Sequence, residues 1–542
     1  MSAGSGKGVD VRVKRGHNVL RTRAAASPTP TRIKSFFGYF FFKKSNFFLL
    51  TWLTSAPGQA FLWGLASALA LPPLHLLPVL LFSVPALLRL LGAAGGWRQA
   101  AWLGWLFGFG VSLAGLYWIT EPMLTEVADF WWLVPFADPL LSFAVAFYFV
   151  LPAVAAYFTP AGLGRVLVFA GVWTLSNLLQ QFLFTGFPWN MWGTDWTMPG
   201  MLGVVFMQPA CLVGVHGLTL LTLLVAATPL FGRRGLLAAL VMLAAWGGFG
   251  VWHLSRPVQP TGVTLALVQP RFPVPGLYDR ASLFARWHRL EALSQAGLTA
   301  GANAVVWPEG ASPWLLDVDG AARAQLAQVT GTATILAGSL REASQTDVRN
   351  SLVVTDGPGP PEAIYDKWKL VPFGEYMPKW IPVKITPDVL GSGFTPGPGK
   401  ATLHLAGLPA VGPLICYEAI FSGEIVDERD RPAWLVNITD DSWFGESAGP
   451  KQAFADARLR AVEEGMPLAR AANSGISAMV DSFGRVTALL PLNAQGVLVA
   501  ALPGDLPQTF YGRFGLAIPL ILALAVIVTG LLISFARTHK LR

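Results

Sequence analysis

Hydrophobic residues form long uncharged runs over the first half of the chain. Residues 45–88 contain no Asp, Glu, Lys or Arg, which is enough for about two membrane crossings at roughly 20 residues each. Later runs are separated by short connections with charged or aromatic side chains. These runs lie at 100–120, 130–158, 166–184, 208–230 and 236–255. The pattern predicts seven membrane passes.

A different pattern occupies residues 262–503, where short β-rich runs alternate with helical segments. Strands are predicted at 263–268, 304–307, 333–340, 351–355, 408–415, 434–438 and 476–480, and helices at 281–297, 321–329 and 450–472. Apolar strands separated by helices indicate a layered α/β or α+β fold. Residues 514–536 are again free of charge and as a helix would extend roughly 34 Å, enough to cross a membrane.

Composition supports a membrane protein. Hydrophobic residues make up 53% of the 542 residues and charged residues only 13%, which is too little charge to cover a soluble protein of this size. The net charge of +8 does not indicate a nucleic-acid partner, because many of the basic residues lie in the N-terminal tail. Such a tail is typical of a cytoplasmic topology signal.

Charge in the connections predicts the orientation. Arg89 with Arg98, Arg165, and Arg233 with Arg234 fall on every second connection, and positive residues favour the cytoplasmic side. The segment after the seventh pass is therefore expected outside the cytoplasm. The predicted parts are a basic cytoplasmic tail (1–45), an N-terminal membrane domain (46–258), an extracytoplasmic domain (259–508) and a C-terminal transmembrane helix with its cytoplasmic tail (509–542). A disordered segment and an interfacial anchor are the two alternatives for the first of these.

The two cysteines have unlike surroundings. Cys211 lies in an apolar run, where a thiol acts as a small buried hydrophobe. Cys416 ends an apolar strand and precedes Tyr417 and Glu418, so it is a candidate nucleophile, with a structural core cysteine as the alternative. The sequence has no Cys/His cluster with the spacing of metal ligands, and we expect no metal or cofactor.

Two further strand ends carry charged groups. Glu309 follows the strand at 304–307, and Lys367 precedes Val-Pro-Phe-Gly-Glu375. A nucleophilic thiol needs a base, and a carbonyl substrate needs a positive group or N–H donors for its oxyanion. Glu, Lys and Cys supply these functions without a histidine. Glu309 as a turn cap, and Lys369 in place of Lys367, are the alternatives.

The three motifs together resemble the Glu-Lys-Cys signature of the nitrilase, or carbon–nitrogen hydrolase, superfamily. They are Trp-Pro-Glu309, Lys367 with Val-Pro-Phe-Gly-Glu375, and Cys416-Tyr-Glu418. The flanking passes make the chain similar to the membrane branch of that superfamily, the apolipoprotein N-acyltransferases. This likeness extends to the Thr-Gly-Phe-Pro-Trp loop at 185–189 and to Asp-Asp-Ser-Trp-Phe-Gly-Glu at 440–446.

The resemblance implies a fold and a set of roles. The fold is a multi-pass α-helical membrane protein of about eight transmembrane helices, with an inserted α/β nitrilase-like αββα sandwich. Glu309 would be the general base, Lys367 the oxyanion stabiliser and Cys416 the nucleophile. The residues expected to support the site or lie near substrate are Glu375, Tyr417, Glu418 and Trp443.

The implied reaction is a ping-pong N-acyl transfer. A glycerophospholipid would give its acyl chain to Cys416 as a thioester, and the acceptor would be the N-terminal amine of S-diacylglyceryl-cysteine in an apolipoprotein. We expect a monomer in the bacterial inner membrane, with the catalytic domain on the periplasmic side. The alternatives are a membrane-tethered amidase that hydrolyses small amides, and a transporter or scaffold with an inactive nitrilase-like domain.

Overall fold

The computed structural model describes residues 51–125, 127–274, 279–344, 347–378 and 393–539. The predicted basic tail, 1–45, lies outside these ranges. Chain contacts divide the protein into a unit of Met1–Ser55 and a unit of Ala56–Arg542. The second unit contains the apolar helices and the β-sheets.

Apolar helices precede the sheets. They are α1 (Ala56–Ser67), α2 (Leu80–Gly92), α3 (Trp97–Gly115), α4 (Glu121–Thr125), α5 (Val127–Phe130), α6 (Val134–Val145), α7 (Val150–Phe158), α8 (Leu163–Phe182), α9 (Gly200–Met207), α10 (Ala210–Ala226) and α11 (Gly232–His253). In the sheet region α12 (Arg280–Thr299), α13 (Gly320–Thr330) and α14 (Gly449–Glu464) follow, and α15 (Phe510–Phe514) and α16 (Ala517–His539) end the chain.

Three helical stretches of the described residues are long and apolar enough to cross a membrane: Val134–Phe158, Ala210–His253 and Ala517–Arg537. A fourth is formed if Trp97–Gly115 and Tyr117–Thr125, bent by 60°, make one span. The expected count of about eight passes is therefore not confirmed by these helices and stays a prediction. Ala210–His253 is 44 residues long and includes both α10 and α11.

The described strands form two sheets. They are β1 (Thr264–Gln269), β2 (Ala304–Val306), β3 (Thr334–Ser344), β4 (Asp347–Thr355), β5 (Ala363–Asp366), β6 (Val411–Ile415), β7 (Trp434–Thr439), β8 (Leu468–Ala472), β9 (Ser477–Val480), β10 (Val486–Leu490) and β11 (Gly496–Ala501). The six-stranded sheet has the order β11-β1-β2-β3-β4-β5, and the five-stranded sheet has the order β10-β9-β8-β7-β6. Strands β1, β2 and β3 are parallel, as are β6, β7 and β8.

The two sheets pack face to face with helices outside them. Leu265 and Val306 of the six-stranded sheet share one buried cluster with Ile415 and Val436 of the five-stranded sheet. The outer face of the first sheet packs on α12 and α13, and the outer face of the second packs on α14. This layering is the αββα sandwich that the resemblance implied, and it brings the carboxyl ends of β2 and β6 to one region.

The predicted helix at 450–472 is wrong in its second half. Helix α14 ends at Glu464, and Leu468–Ala472 forms the central strand β8. Gly465 has a φ of +69°, a left-handed conformation that favours glycine and terminates helices. Pro467 then prevents the helix from resuming. Strands β5, β10 and β11, which lie at the edges of the two sheets, were not predicted.

One glutamine connects the sandwich to the apolar helices. Gln452 of α14 accepts hydrogen bonds at Oε1 from the indole N–H groups of Trp118 (2.9 Å) and Trp189 (2.8 Å). Its Nε2 donates to the carbonyls of Pro72 (3.2 Å) and Gly115 (3.3 Å). These five residues, the Gln452 junction, fix the start of α14 to three separate segments of the helical part.

Candidate active site

The predicted catalytic residues follow three strands. Glu309 comes three residues after β2, Lys367 directly follows β5, and Cys416 directly follows β6. The first two residues belong to the six-stranded sheet and the third to the five-stranded sheet. The candidate site therefore lies across the sandwich and depends on how the two sheets pack.

Lys367 holds two carboxylates together. Its Nζ lies 3.0 Å from Oε1 of Glu309 and 2.8 Å from Oε1 of Glu375, and its side chain is only 1% exposed. Asn350 of β4 donates from Nδ2 to the same two oxygens, at 2.7 and 3.2 Å. We call these four residues the Lys367 cluster. Asn350 was not predicted, because a single polar residue within a strand gives no local signal.

The second oxygen of each carboxylate is also held. The backbone N–H of Asp440 donates to Oε2 of Glu309 at 2.8 Å, and that of Val371 donates to Oε2 of Glu375 at 2.7 Å. Burial opposes the charge of Lys367, but Glu309 and Glu375 outweigh it and raise the pKa of the ammonium. Lys367 is therefore a permanent cation at neutral pH and suits stabilisation of negative charge.

Charged side chains beside the cluster fix the end of β5. Asp366 accepts hydrogen bonds from Arg341 (2.7 Å), Arg349 (3.1 Å) and the hydroxyl of Ser351 (2.7 Å). The backbone N–H of Lys367 donates to the carbonyl of Asn350 at 2.8 Å. The side chain of Asp366 and the backbone of Lys367 are thus held to β3 and β4, which limits the positions that the Lys367 ammonium can take.

Cys416 has an unusual backbone for a residue other than glycine. Its φ is +48°, in the left-handed region where a Cβ causes strain, and such strain is often found at functional sites. Burial, followed by the Glu309 carboxylate, raises the pKa of its thiol, while Lys367 acts in the opposite direction. The resting thiol is therefore neutral and needs a base to take its proton.

Glu418 and Tyr417 support the turn at Cys416. Glu418 accepts hydrogen bonds from the N–H of Ile415 (2.7 Å), the N–H of Trp368 (2.8 Å) and the hydroxyl of Tyr365 (2.9 Å). Burial raises the pKa of Glu418 to about 7, although the two backbone N–H groups act against this. Glu418 therefore connects the turn after β6 to the segment that carries Lys367.

Tyr417 points toward the helical part. Its hydroxyl donates to the carbonyl of Gly186 at 2.8 Å, and its ring packs in a cluster with Trp118 and Trp189. This bond connects the residue after Cys416 to the loop that follows α8. The aromatic loop noted in the sequence is therefore a direct support of the candidate site.

The remaining predicted positions are further out. Trp443 lies just after β7 and is 38% exposed, so its indole is available to solvent or to a ligand. Lys369, the alternative to Lys367, instead pairs with Glu424 at 3.1 Å and stacks on the rings of Trp368 and Phe421. Within the described ranges, no group of three or more His, Cys, Asp or Glu side chains could hold a metal ion.

These features are those of an enzyme with a cysteine nucleophile. A carboxylate and a buried lysine accompany the thiol on an αββα sandwich, and this sandwich is joined to apolar helices. The family model for carbon–nitrogen hydrolases matches residues 264–509, and the model for the apolipoprotein N-acyltransferase N-terminal domain matches residues 63–228. The two matched segments correspond to the sandwich and to the helices before it.

Relatives across most of the chain identify the family. An apolipoprotein N-acyltransferase of Rhodopseudomonas palustris is 36% identical over 86% of this chain and 93% of its own length. Those of Bradyrhizobium diazoefficiens and Allorhizobium ampelinum are 36% and 38% identical, over 89% and 80% of this chain and 95% and 87% of theirs. The chain belongs to the apolipoprotein N-acyltransferase family. It is an acyltransferase and a membrane protein.

Two solved structures resemble about half of the chain. An amidase from Nesterenkonia sp. is 20% identical, covers 47% of this chain and 95% of its own, and has a TM-score of 0.35. A carbon-nitrogen hydrolase from Helicobacter pylori is 16% identical, with coverage of 44% and 88% and a TM-score of 0.34. Similarity at this level adds nothing to the family assignment.

Proposed function

We propose that this enzyme transfers a fatty acyl chain from a glycerophospholipid, through a thioester on Cys416, to the N-terminal amine of S-diacylglyceryl-cysteine in apolipoproteins. The observation that carries the proposal is the Lys367 cluster, in which a buried lysine lies between two carboxylates and acts electrostatically on Cys416. Membership in the apolipoprotein N-acyltransferase family supports the choice of substrates.

In the first half-reaction, Glu309 takes the thiol proton as the sulfur of Cys416 attacks the acyl ester carbonyl. Lys367 stabilises the oxyanion of the tetrahedral intermediate. The C–O bond then breaks, and the leaving lysophospholipid oxygen receives the proton from Glu309. A thioester on Cys416 divides one difficult transfer into two easier steps.

In the second half-reaction, the acceptor amine attacks the thioester carbonyl and gives a proton to Glu309. The C–S bond breaks, and the sulfur of Cys416 leaves and recovers a proton from Glu309. Glu375 keeps Lys367 in position through the ion pair at 2.8 Å. Tyr417 and Glu418 support the turn, and Trp443, being exposed, lies near the acyl chain.

We further propose the arrangement in the membrane. The N-terminal membrane domain, 46–258, would cross the membrane about seven times, and 509–542 would supply the last crossing and its tail. The 44 residues of Ala210–His253 are long enough for two crossings. The catalytic domain, 259–508, would face the periplasm from the inner membrane, the tail 1–45 would be cytoplasmic, and the enzyme would act as a monomer without a cofactor.

Intact-mass spectrometry of the purified enzyme with added phospholipid tests the proposal. We expect a fatty-acyl adduct that hydroxylamine removes and that Cys416→Ala lacks. Adding a synthetic diacylglyceryl-cysteinyl peptide should discharge the adduct and produce an N-acylated peptide, whereas the same peptide with its amine acetylated should leave the adduct in place. Absence of the adduct, together with hydrolysis of small amides, would replace the proposal by a tethered amidase.

A further inference from the structure

The end of strand β7 contacts both proposed reactive groups. β6 and β7 are parallel, with Ile415 opposite Ile438, so the next residues along, Cys416 and Thr439, are neighbours. Side chains at one register position of adjacent parallel strands lie on the same face of the sheet, and the hydroxyl of Thr439 lowers the pKa of the Cys416 thiol. The following residue, Asp440, donates its N–H to Glu309 at 2.8 Å.

This hydroxyl belongs to a fixed buried chain. Thr439 is 1% exposed, and its Oγ1 donates to Oδ1 of Asp441 at 3.0 Å. Oδ2 of Asp441 accepts from Arg470 at 2.8 Å, and Arg470 also donates to Asn437. A Cβ on Gly475 would lie 2.2 Å from Oδ2 of Asp441, so the backbone there confines the carboxylate from another side.

The Thr439 hydroxyl carries one hydrogen and has two possible acceptors. Opposite a neutral thiol, the carboxylate of Asp441 is the stronger acceptor, and the hydroxyl donates to it at 3.0 Å. Opposite a thiolate, the sulfur carries a full negative charge and competes for the hydrogen, because hydrogen bonds to ionised groups are the stronger ones. Rotation of one hydroxyl therefore moves the hydrogen from Asp441 to the sulfur.

We propose that Thr439 is a further catalytic residue, whose hydroxyl hydrogen rests on Asp441 and turns to the sulfur of Cys416 whenever the sulfur carries negative charge. The proposal rests on Cys416 being the nucleophile. The Thr439 hydroxyl acts mainly in the second half-reaction, when the C–S bond breaks and the sulfur leaves as a thiolate. Asp441 and Arg470 are positioning residues that hold the hydroxyl.

The groups around the sulfur determine whether each substitution raises or lowers the pKa of the Cys416 thiol. Burial is the largest cause of the raised pKa of the Cys416 thiol. Glu309 and Asp441 also raise this pKa, and Lys367 and the Thr439 hydroxyl lower it. Removing the hydroxyl should raise the pKa further. Neutralising Asp441 should lower it, because a negative charge is lost and the hydroxyl hydrogen becomes free for the sulfur.

The test measures the rate of Cys416 alkylation by iodoacetamide against pH, with adducts assigned by peptide mapping because buried Cys211 is the only other thiol. Thr439→Val should move the midpoint about one unit to higher pH, and Asp441→Asn should move it lower. Thr439→Ser keeps the hydroxyl and should retain the native midpoint. Thr355→Val, a buried threonine at the end of β4, is the matched control.

A native midpoint in Thr439→Val overturns the proposal, and so does a Thr439→Ser variant that behaves like Thr439→Val. The valine and serine variants decide the matter even if Asp441→Asn fails to fold. With phospholipid present, Thr439→Val should accumulate the acyl adduct and discharge it about tenfold more slowly, in line with the midpoint shift. Alkylation needs no lipid, so the two proposals can fail independently. A wild-type enzyme that forms no acyl adduct would contradict the proposed function, whereas the alkylation midpoints test the role of Thr439.

Discussion

The Lys367 cluster and the Gln452 junction are both buried polar networks, but they differ in charge. In the cluster, one ammonium is shared by two carboxylates, so every member depends on the charge of its neighbours. At the junction, an uncharged amide makes four hydrogen bonds with four uncharged partners. The charged network is suited to stabilising a charge that appears during reaction, and the neutral network is suited to holding two parts of the protein together.

The largest effect is expected from Lys367→Met in the charged network. The variant leaves Glu309 and Glu375 facing each other without a cation, and it removes the proposed oxyanion stabiliser. We expect formation of the acyl-enzyme to fall by roughly a thousandfold or more, measured as the initial rate of adduct appearance. Lys369→Met, which removes the lysine paired with Glu424, is the control and should keep most of the rate. A Lys367→Met enzyme with a tenth of native activity would contradict this.

Charge placed in the junction should have the next largest effect. Gln452→Glu would direct an oxygen at the carbonyls of Pro72 and Gly115, where Nε2 now donates. Like-signed groups would meet in a buried site, so we expect a loss of about 3 kcal/mol or more in the free energy of unfolding.

Gln452→Met removes the same hydrogen bonds without adding charge and should be less destabilised than Gln452→Glu. Gln325→Met, which removes a single bond to Glu291, provides the baseline. Thermal unfolding in detergent measures all three variants. Equal melting temperatures for Gln452→Glu and Gln452→Met would show that the junction tolerates charge.

The protonation of Glu418 should make the free energy of unfolding depend on pH. Its folded pKa is raised to about 7 by burial, above the usual value near 4.3 in an unfolded chain. The folded protein therefore binds this proton more tightly, and the contribution to stability is complete below the unfolded pKa and is lost as pH rises through about 7. The free energy of unfolding should fall by up to about 1.4 kcal/mol per pH unit over this interval.

We expect the unfolding temperature of the wild type to fall over this interval more steeply than that of Glu418→Gln, which has no proton to lose. Glu362→Gln, at an exposed position, should keep the native slope. If the wild type and Glu418→Gln respond identically to pH, Glu418 is ionised throughout and the buried turn tolerates its charge.

The smallest effect is expected at Trp443, which lies outside both buried networks. Trp443→Ala removes a side chain that is 38% exposed, so the free energy of unfolding should change by only about 0.5 kcal/mol. If its indole contacts the acyl chain, KM for the phospholipid should rise several-fold while the second half-reaction keeps its rate. Trp131→Ala, at a more exposed position, is the control. An unchanged KM would assign Trp443 no contact with the donor.

The sequence was most informative where a reactive side chain directly follows an apolar strand. Glu309 and Cys416 could be picked out because each follows such a run, and Lys367 because of its spacing to the Val-Pro-Phe-Gly motif that ends at Glu375. The helix predicted through Gly465 was wrong because its apolar pattern continues into β8. A single glycine with φ of +69° separates helix from strand, and periodicity does not register that turn.

Long-range partners could not be predicted. Gln452 is separated by 334 residues from Trp118 and by 263 from Trp189, and no short motif links positions so far apart. Asn350 is similar, because its meaning comes only from Glu309 and Glu375 on other segments. A residue whose function depends on a partner in another element is recognised only from the three-dimensional structure.

The bond between Tyr417 and Gly186 has a consequence for how a lipid reaches the sulfur. The residue after Cys416 is held to the loop that follows α8 by a hydrogen bond of 2.8 Å, which restricts movement of the nucleophile relative to the apolar helices. In the proposed reaction, a donor lipid would therefore have to bring its ester to the sulfur. Turnover would depend on how far a lipid can rise out of its leaflet, and hence on bilayer thickness and fluidity.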